Sequence, residues 1–288
     1  MRLYPECCPC MLRQALTFCS GQPDDVKFKV VGELLQLFSK EFSPDSTTIR
    51  LFERKNEIVK KYTTNKDPMR EQKKLGLEAA LSVYGDLEYF VGGESNPGRR
   101  FRRAVLVALA GNSIEFGRVE HRFDPADIER HLFDSINSKP EVDDIPVFYE
   151  RVTKARKILY VTDNAGELVC DKILVDELKR YARVFVAPLS KPMQDDATVE
   201  DVETAGIVCD VVSKGEMIGL CLDRTPKEFN RVFAVADVVV AKGMACYETI
   251  VEHPKEVEGK VVLLMKVKCT PVSRDVGVKL GSTVVKAF

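Results

Sequence analysis

Apolar positions change their period once along this chain, between residues 150 and 157. Before that point they recur at three- and four-residue intervals, the mark of amphipathic helices. Residues 11–19, 26–42, 47–62, 69–84 and 99–110 carry the pattern, and in the second of these Val30, Leu34, Leu37, Phe38 and Phe42 fall on one face. Asp67-Pro68, Asn96-Pro97-Gly98 and Lys139-Pro140 punctuate the helices as turns. From about Lys157, short β-branched runs at 158–162, 183–187, 207–212, 237–241 and 260–265 alternate with helical stretches at 168–181, 197–205, 226–234 and 247–253. That alternation predicts right-handed crossovers and a mostly parallel sheet with helices on both faces. The chain therefore reads as an α/β protein. A helical N-terminal region or cap is expected over residues 1–150, and an α/β domain over residues 151–288.

Candidate chemistry concentrates where the predicted strands end. Asp163-Asn164-Ala165-Gly166-Glu167 directly follows the first strand of the α/β region. It sets an acid, an amide and a glycine turn at the carboxyl edge of the sheet, where open α/β sheets bind ligands. The N–H groups of the next helix favour an anion at the same place. Acidic side chains repel an anion, and a divalent cation between them removes the conflict. Three more strand ends converge there: Asp195-Asp196-Ala197-Thr198, Lys242-Gly243, and residues 266–269 with Lys268.

Carboxylates and an amide oxygen are hard ligands that suit Mg²⁺ or Mn²⁺ better than tetrahedral zinc. Lys242 and Lys268 would supply point charges for a phosphate, and Gly243 would let backbone approach closely. Magnitude also favours a metal if the site is catalytic. A helix terminus offers an anion only ~0.3–2 kcal/mol, whereas phosphomonoester hydrolysis calls for accelerations up to the order of 10²¹. Taken alone, Asp163 to Glu167 also reads as a loop and N-cap, and Asp195 or Asp196 as a plain cap for the next helix. The case rests on four segments sharing one edge.

Composition narrows the class. The chain is 45% hydrophobic and 30% charged with a formal net charge of −1, which gives no global electrostatic case for nucleic acid or an acidic membrane. Arg99-Arg100-Phe101-Arg102-Arg103 reads as a solvated helix opening with Phe101 turned to the core, in preference to a nucleic-acid patch. The longest apolar stretch, residues 104–110, is too short to span a bilayer, and the opening residues lack a secretory core. Nine cysteines scattered among apolar runs read as reduced thiols, so a cytoplasmic protein is expected. Cys7 and Cys10 read as an unmetallated pair at a helix start. His121, His131 and His253 show no ligand spacing.

Read together, several motifs resemble the damage-control phosphatase family, also known as domain of unknown function 89, in its stand-alone archaeal and bacterial branch. They are Cys7-Cys8-Pro9-Cys10, Asp67-Pro68, Gly111-Asn112-Ser113-Ile114-Glu115-Phe116, the Asp163 to Glu167 motif, Asp196-Ala197-Thr198, Lys242-Gly243 with Tyr247-Glu248, Lys268-Cys269, and Gly277-Val278 with Gly281. The resemblance implies a Rossmann-like α/β domain joined to a helical N-terminal region. It implies a phosphatase of small phosphometabolites supported by Mn²⁺, Ni²⁺ or Co²⁺, with Mg²⁺ as a further option. It places the metal on Asp163, Asn164 and Asp196, with Asp163 and Asp196 catalytic. Substrate contacts fall on Glu167, Asn112, Lys242, Gly243 (with the segment to Cys246) and Lys268. Cys246 stands where the family often has asparagine, and Glu115 where it usually has aspartate. The expected activity is hydrolysis of phosphate monoesters of damaged metabolites such as sugar phosphates or nucleotides. The alternatives are an S-adenosylmethionine-dependent carboxyl methyltransferase and a non-catalytic metabolite- or RNA-binding module.

Overall fold

The chain is described by a computed structural model that covers residues 1–63, 67–114 and 127–288. Glu115 and Phe116 of the Gly-Asn motif, and His121, lie outside the described residues.

Helices come first, as the period requires. They are α1 (Cys7–Phe18), α2 (Asp24–Glu41), α3 (Thr48–Tyr62), α4 (Arg70–Ser82), α5 (Tyr84–Gly92), α6 (Pro97–Gly111) and α7 (Ile128–Asn137). The single helix expected over 69–84 ends at Ser82, and a new one starts at Tyr84 after Val83, which has left helical geometry (φ −111°, ψ 3°). Asn96 opens α6 by accepting a hydrogen bond from the Arg99 N–H, with Pro97 at the first helical position where its missing N–H costs nothing. Phe101 is fully buried. Around it Arg99, Arg100 and Arg102 pair with Glu94, Glu177 and Asp143, so the run is a structural helix opening.

The remaining elements run β1 (Val142–Asp143), α8 (Ile145–Lys154), β2 (Lys157–Val161), a 3-10 turn (Ala165–Glu167), α9 (Leu168–Leu178), β3 (Arg183–Ala187), α10 (Val199–Thr204) and β4 (Asp210–Val211). They continue with α11 (Lys227–Val235), β5 (Val238–Lys242), α12 (Gly243–Ile250), α13 (Pro254–Val257), β6 (Val261–Lys266), α14 (Thr270–Val276) and β7 (Thr283–Ala287). The seven strands form one sheet in the order β1-β7-β6-β5-β2-β3-β4. All neighbours are parallel except β6 and β7. The sequence expectation of a mostly parallel α/β sheet holds, and two strands it lacked, β1 and β7, extend one edge. Expected strand 207–212 shrinks to Asp210–Val211, an exposed edge pair.

Alternation along each strand sorts side chains to the two faces. Ile158, Tyr160, Val184, Val186, Val240 and Leu264 enter one apolar cluster, together with α6 and α9. Leu159, Val161, Val239, Ala241, Leu263 and Met265 enter a second cluster on the other face. A third gathers α1, α2 and α3 around Val30, Leu34 and Leu51, all fully buried. The first cluster crosses residue 150, because α6 lies directly against α9. Gly111 makes that approach possible: a Cβ there would stand 2.7 Å from the Cβ of Cys170.

Candidate metal and phosphate site

Chain order runs β2, β3, β4 toward one edge of the sheet and β5, β6 toward the other, so the direction reverses between β2 and β5. A crevice opens at such a switch point, beyond the carboxyl ends of the strands. Asp163 follows β2 and Gly243 follows β5, which places them opposite one another. Gly243 has φ +80°, and a Cβ there would lie 1.8 Å from Asp163 Oδ2. Only glycine leaves that carboxylate room.

The loop from β3 closes the second side. Asn164 and Asp196 form an isolated antiparallel bridge. The Ala165 N–H donates to the Asp195 carbonyl and the Ala197 N–H to the Asp163 carbonyl, both at 2.8 Å. These backbone bonds bring Asp163, Asn164 and Asp196 together. Each keeps only a sliver of exposure, 9%, 8% and 4%. Thr198, not Asp195 or Asp196, caps α10, in a reciprocal box with Asp201. Both aspartates are thereby released from the capping role expected of one of them.

Beneath Asp163 lies a layer of buried polar groups bonded to one another, with Asp171 Oδ2 left without a partner among the described residues. Glu167 turns back to accept from the Asn164 N–H at 3.0 Å, so this N–H is met by the chain's own carboxylate. Asn112 Nδ2 donates to Asp163 Oδ2 at 3.0 Å and to Glu167 Oε1 at 2.9 Å, while its Oδ1 accepts from the Lys266 N–H. The Lys242 ammonium sits 2.6 Å from Glu167 Oε2, contacts Asp171 Oδ1, and donates to the Ala108 carbonyl. Tyr160 completes the layer by donating to Asp171. Burial alone would push Lys242 down, but Asp171 and Glu167 together outweigh it and hold the ammonium above the ordinary lysine range.

Three residues expected to touch substrate are therefore placed elsewhere. Glu167 and Lys242 have no exposure and Asn112 has 1%. They support Asp163 from below instead of lining the mouth, because each spends its hydrogen-bonding capacity on the others. Gly243 is pressed against Asp163. Lys268 is half-buried at the end of β6, near enough for its charge to act on Asp163.

Sequence reasoning missed Lys214. Its ammonium is buried, 2.9 Å from the Thr162 carbonyl and 3.5 Å from Asp196 Oδ2. The available signal was positional: Lys214-Gly215 follows β4 just as Lys242-Gly243 closes β5.

Charge is unbalanced at the mouth. Burial, then the negative charges of Glu167 and Asp196, push the Asp163 carboxyl well above the usual range. Burial pushes Asp196 up to about 7 against the pull of Lys214. Four buried carboxylates (Asp163, Glu167, Asp171, Asp196) face two buried ammoniums (Lys214, Lys242). With all four ionised, two negative charges would be left over, or one once the half-buried Lys268 is counted; in the metal-free chain burial favours protons on Asp163 and Asp196, which a divalent cation would displace. Among the described residues no three His, Cys, Asp or Glu side chains form a metal-holding group by themselves. The set here is two carboxylates and an amide, hard donors suited to a hard or borderline divalent ion.

The family description "Damage-control phosphatase ARMT1-like domain" matches residues 3–284. A damage-control phosphatase of Archaeoglobus fulgidus is 29% identical over 99% of both chains. A damage-control phosphatase of Pyrococcus horikoshii is 30% identical, covering 99% of this chain and 97% of the relative. The crystal structure of a DUF89 family protein from Pyrococcus horikoshii superposes with a TM-score of 0.88 at 30% identity, covering 100% of this chain and 99% of that one.

Proposed function

The chain belongs to the damage-control phosphatase ARMT1-like family, and from that premise we propose that it is a divalent-metal-dependent phosphatase hydrolysing phosphate monoesters of small, damaged metabolites. The observation that supports the metal is the excess of buried carboxylates over buried ammoniums at the β2/β5 crevice, where burial favours protons on Asp163 and Asp196 that a divalent cation would displace. Asp163, Asn164 and Asp196 would hold the ion. When bound, a divalent cation supplies Lewis-acid polarisation of a phosphoryl oxygen and lowers the pKa of water.

The other residues divide the remaining work. Lys268 offers its charge to the phosphate at the mouth. Lys242, Glu167 and Asn112 hold the Asp163 carboxylate in one orientation, since a misplacement of ~1 Å costs on the order of 10²-fold in rate. Gly243, having no Cβ, leaves that carboxylate its place. The carboxylate of Asp163 or Asp196 acts directly at the phosphorus or on the attacking water. No helix among the described residues is long and apolar enough to cross a membrane, in keeping with a small phosphorylated substrate met in water.

The test is phosphate release from p-nitrophenyl phosphate after chelation and after Mn²⁺, Ni²⁺, Co²⁺ or Mg²⁺ is restored. Activity should return with metal and fall at least ~10³-fold in Asp163→Ala. Full activity in the chelated protein, or in Asp163→Ala, contradicts the reading. Methyl transfer from S-adenosylmethionine, measured alongside, should be absent.

A further inference from the structure

Lys214 reaches the site from a loop already fixed to the segment that carries Asp196. The Lys214 N–H donates to the Pro188 carbonyl at 2.9 Å and the Ser190 N–H to the Gly215 carbonyl at 2.8 Å. The Leu189 N–H donates to the Ala197 carbonyl at 2.9 Å. Gly215 turns with φ +97°, and a Cβ there would meet Pro226 Cδ at 3.1 Å, so this turn has little freedom to move. From that anchored backbone the side chain crosses to β2, donating to the carbonyl of Thr162, the residue just before Asp163. On the way its ammonium stands 3.5 Å from Asp196 Oδ2 with 1% of the side chain exposed. One cation thus spans the two strand ends that bear the acids, and solvent does not compete for it.

We propose that Lys214 is a positioning residue: by bridging the Thr162 carbonyl and the Asp196 carboxylate it holds Asp196 opposite Asp163, in the arrangement that receives the divalent ion. This rests on the reading of Asp163, Asn164 and Asp196 as the metal set. A cation beside a metal ligand has two opposed effects. It repels the ion, and it removes the freedom of a carboxylate that would otherwise have to be ordered on binding. The second effect dominates here. Asp196 is 4% exposed and its loop is fixed by backbone bonds, so a wrong rotamer stays wrong, whereas Lys268 at the mouth exerts repulsion regardless. Second-layer partners of this kind are worth 10–100-fold in metal affinity in other metal sites.

The experiment measures Mn²⁺ binding by titration calorimetry on the chelated full chain, with circular dichroism to check the fold. Lys214→Met should weaken Mn²⁺ binding by ~10–100-fold and lower kcat. KM for p-nitrophenyl phosphate at saturating Mn²⁺ should stay within about two-fold, because Lys214 itself does not reach the substrate. Lys214→Arg, which keeps a cation and its donors, should recover most of the affinity. Unchanged or tighter Mn²⁺ binding in Lys214→Met overturns the proposal. If Lys214→Met does not fold, Lys214→Gln is read by the same criterion. Failure of both to fold also overturns it, since Lys214 would then support the fold at large instead of Asp196. Wild-type protein that binds Mn²⁺ but releases no phosphate counts against the proposed function alone. Wild-type activity with normal Mn²⁺ binding in the variants counts against Lys214 alone.

Discussion

Lys55 and Lys242 are both fully buried lysines, yet the regions around them treat the charge in opposite ways. Lys55 lies in the helical cluster of α1–α3, where its ammonium donates to the neutral Gln14 Oε1 at 2.9 Å and sits 3.7 Å from the Phe52 ring centroid. Burial, with no carboxylate partner among the described residues, pushes it down to about 7. Lys242, at the sheet edge, touches Glu167 and Asp171 and is pushed up. The helical region tolerates a lysine by letting it lose its proton near neutral pH. The sheet edge keeps Lys242 charged by pairing it, and crowds in more carboxylates than cations, so that burial favours a proton on Asp196 until a cation takes its place.

The contrast breaks most visibly in Lys242→Met. Two buried carboxylates then lose their counter-charge, and unfolding in urea should show a loss of about 3–5 kcal/mol. An unchanged midpoint would mean that Lys242 is not a counter-ion. Gly243→Ala should follow, because its Cβ displaces Asp163: roughly 10²-fold in kcat, or about 2.7 kcal/mol, with the fold retained. Lys55→Met should move the opposite way and leave stability unchanged or raise it by about 1–3 kcal/mol, since it replaces a desolvated amine by an apolar side chain. Substantial destabilisation there would show the two lysines to be alike.

Proton linkage sharpens the comparison with smaller effects. Lys55 has a folded-state pKa of about 7 against an ordinary 10.5, so the unfolded chain binds the extra proton between those values. Its contribution to stability should therefore rise with pH across about 7 to 10.5 and vanish from the slope in Lys55→Met. Asp196 runs the other way. Raised to about 7 from 3.8, it makes the metal-free protein less stable as pH climbs through that window, because the folded state holds the proton longer. Mn²⁺ should consequently raise Tm more at pH 8 than at pH 5, as scanning calorimetry can measure.

Much of this arrangement was legible from residue order. Helical period before residue 150 and strand–helix alternation after it gave the fold class, and Asp163-Asn164 and Asp196 are brought together by an isolated bridge between the loops that follow β2 and β3. Depth was not legible. Glu167 and Lys242 carry charges that sequence alone sends to the surface or to a ligand, and their complete burial rests on the 2.6 Å contact between them together with Asn112, Asn164, Asp171 and the Ala108 carbonyl. Lys214 was missed although it follows the expected strand 207–212, because residue order does not show that its side chain crosses to Thr162 and Asp196. β7 and β1 were missed for a different reason. β1 is two residues long and has no period, and β7 is an antiparallel addition that breaks the alternation.

The central claim is that the unbalanced carboxylates await one divalent cation, and calorimetric titration of the chelated protein with Mn²⁺ at pH 7, in buffers of different ionisation enthalpy, tests it most directly. The account predicts one ion per chain, bound with release of protons, and loss of that binding in Asp163→Ala. No binding, or binding that neither frees protons nor depends on Asp163, would contradict it.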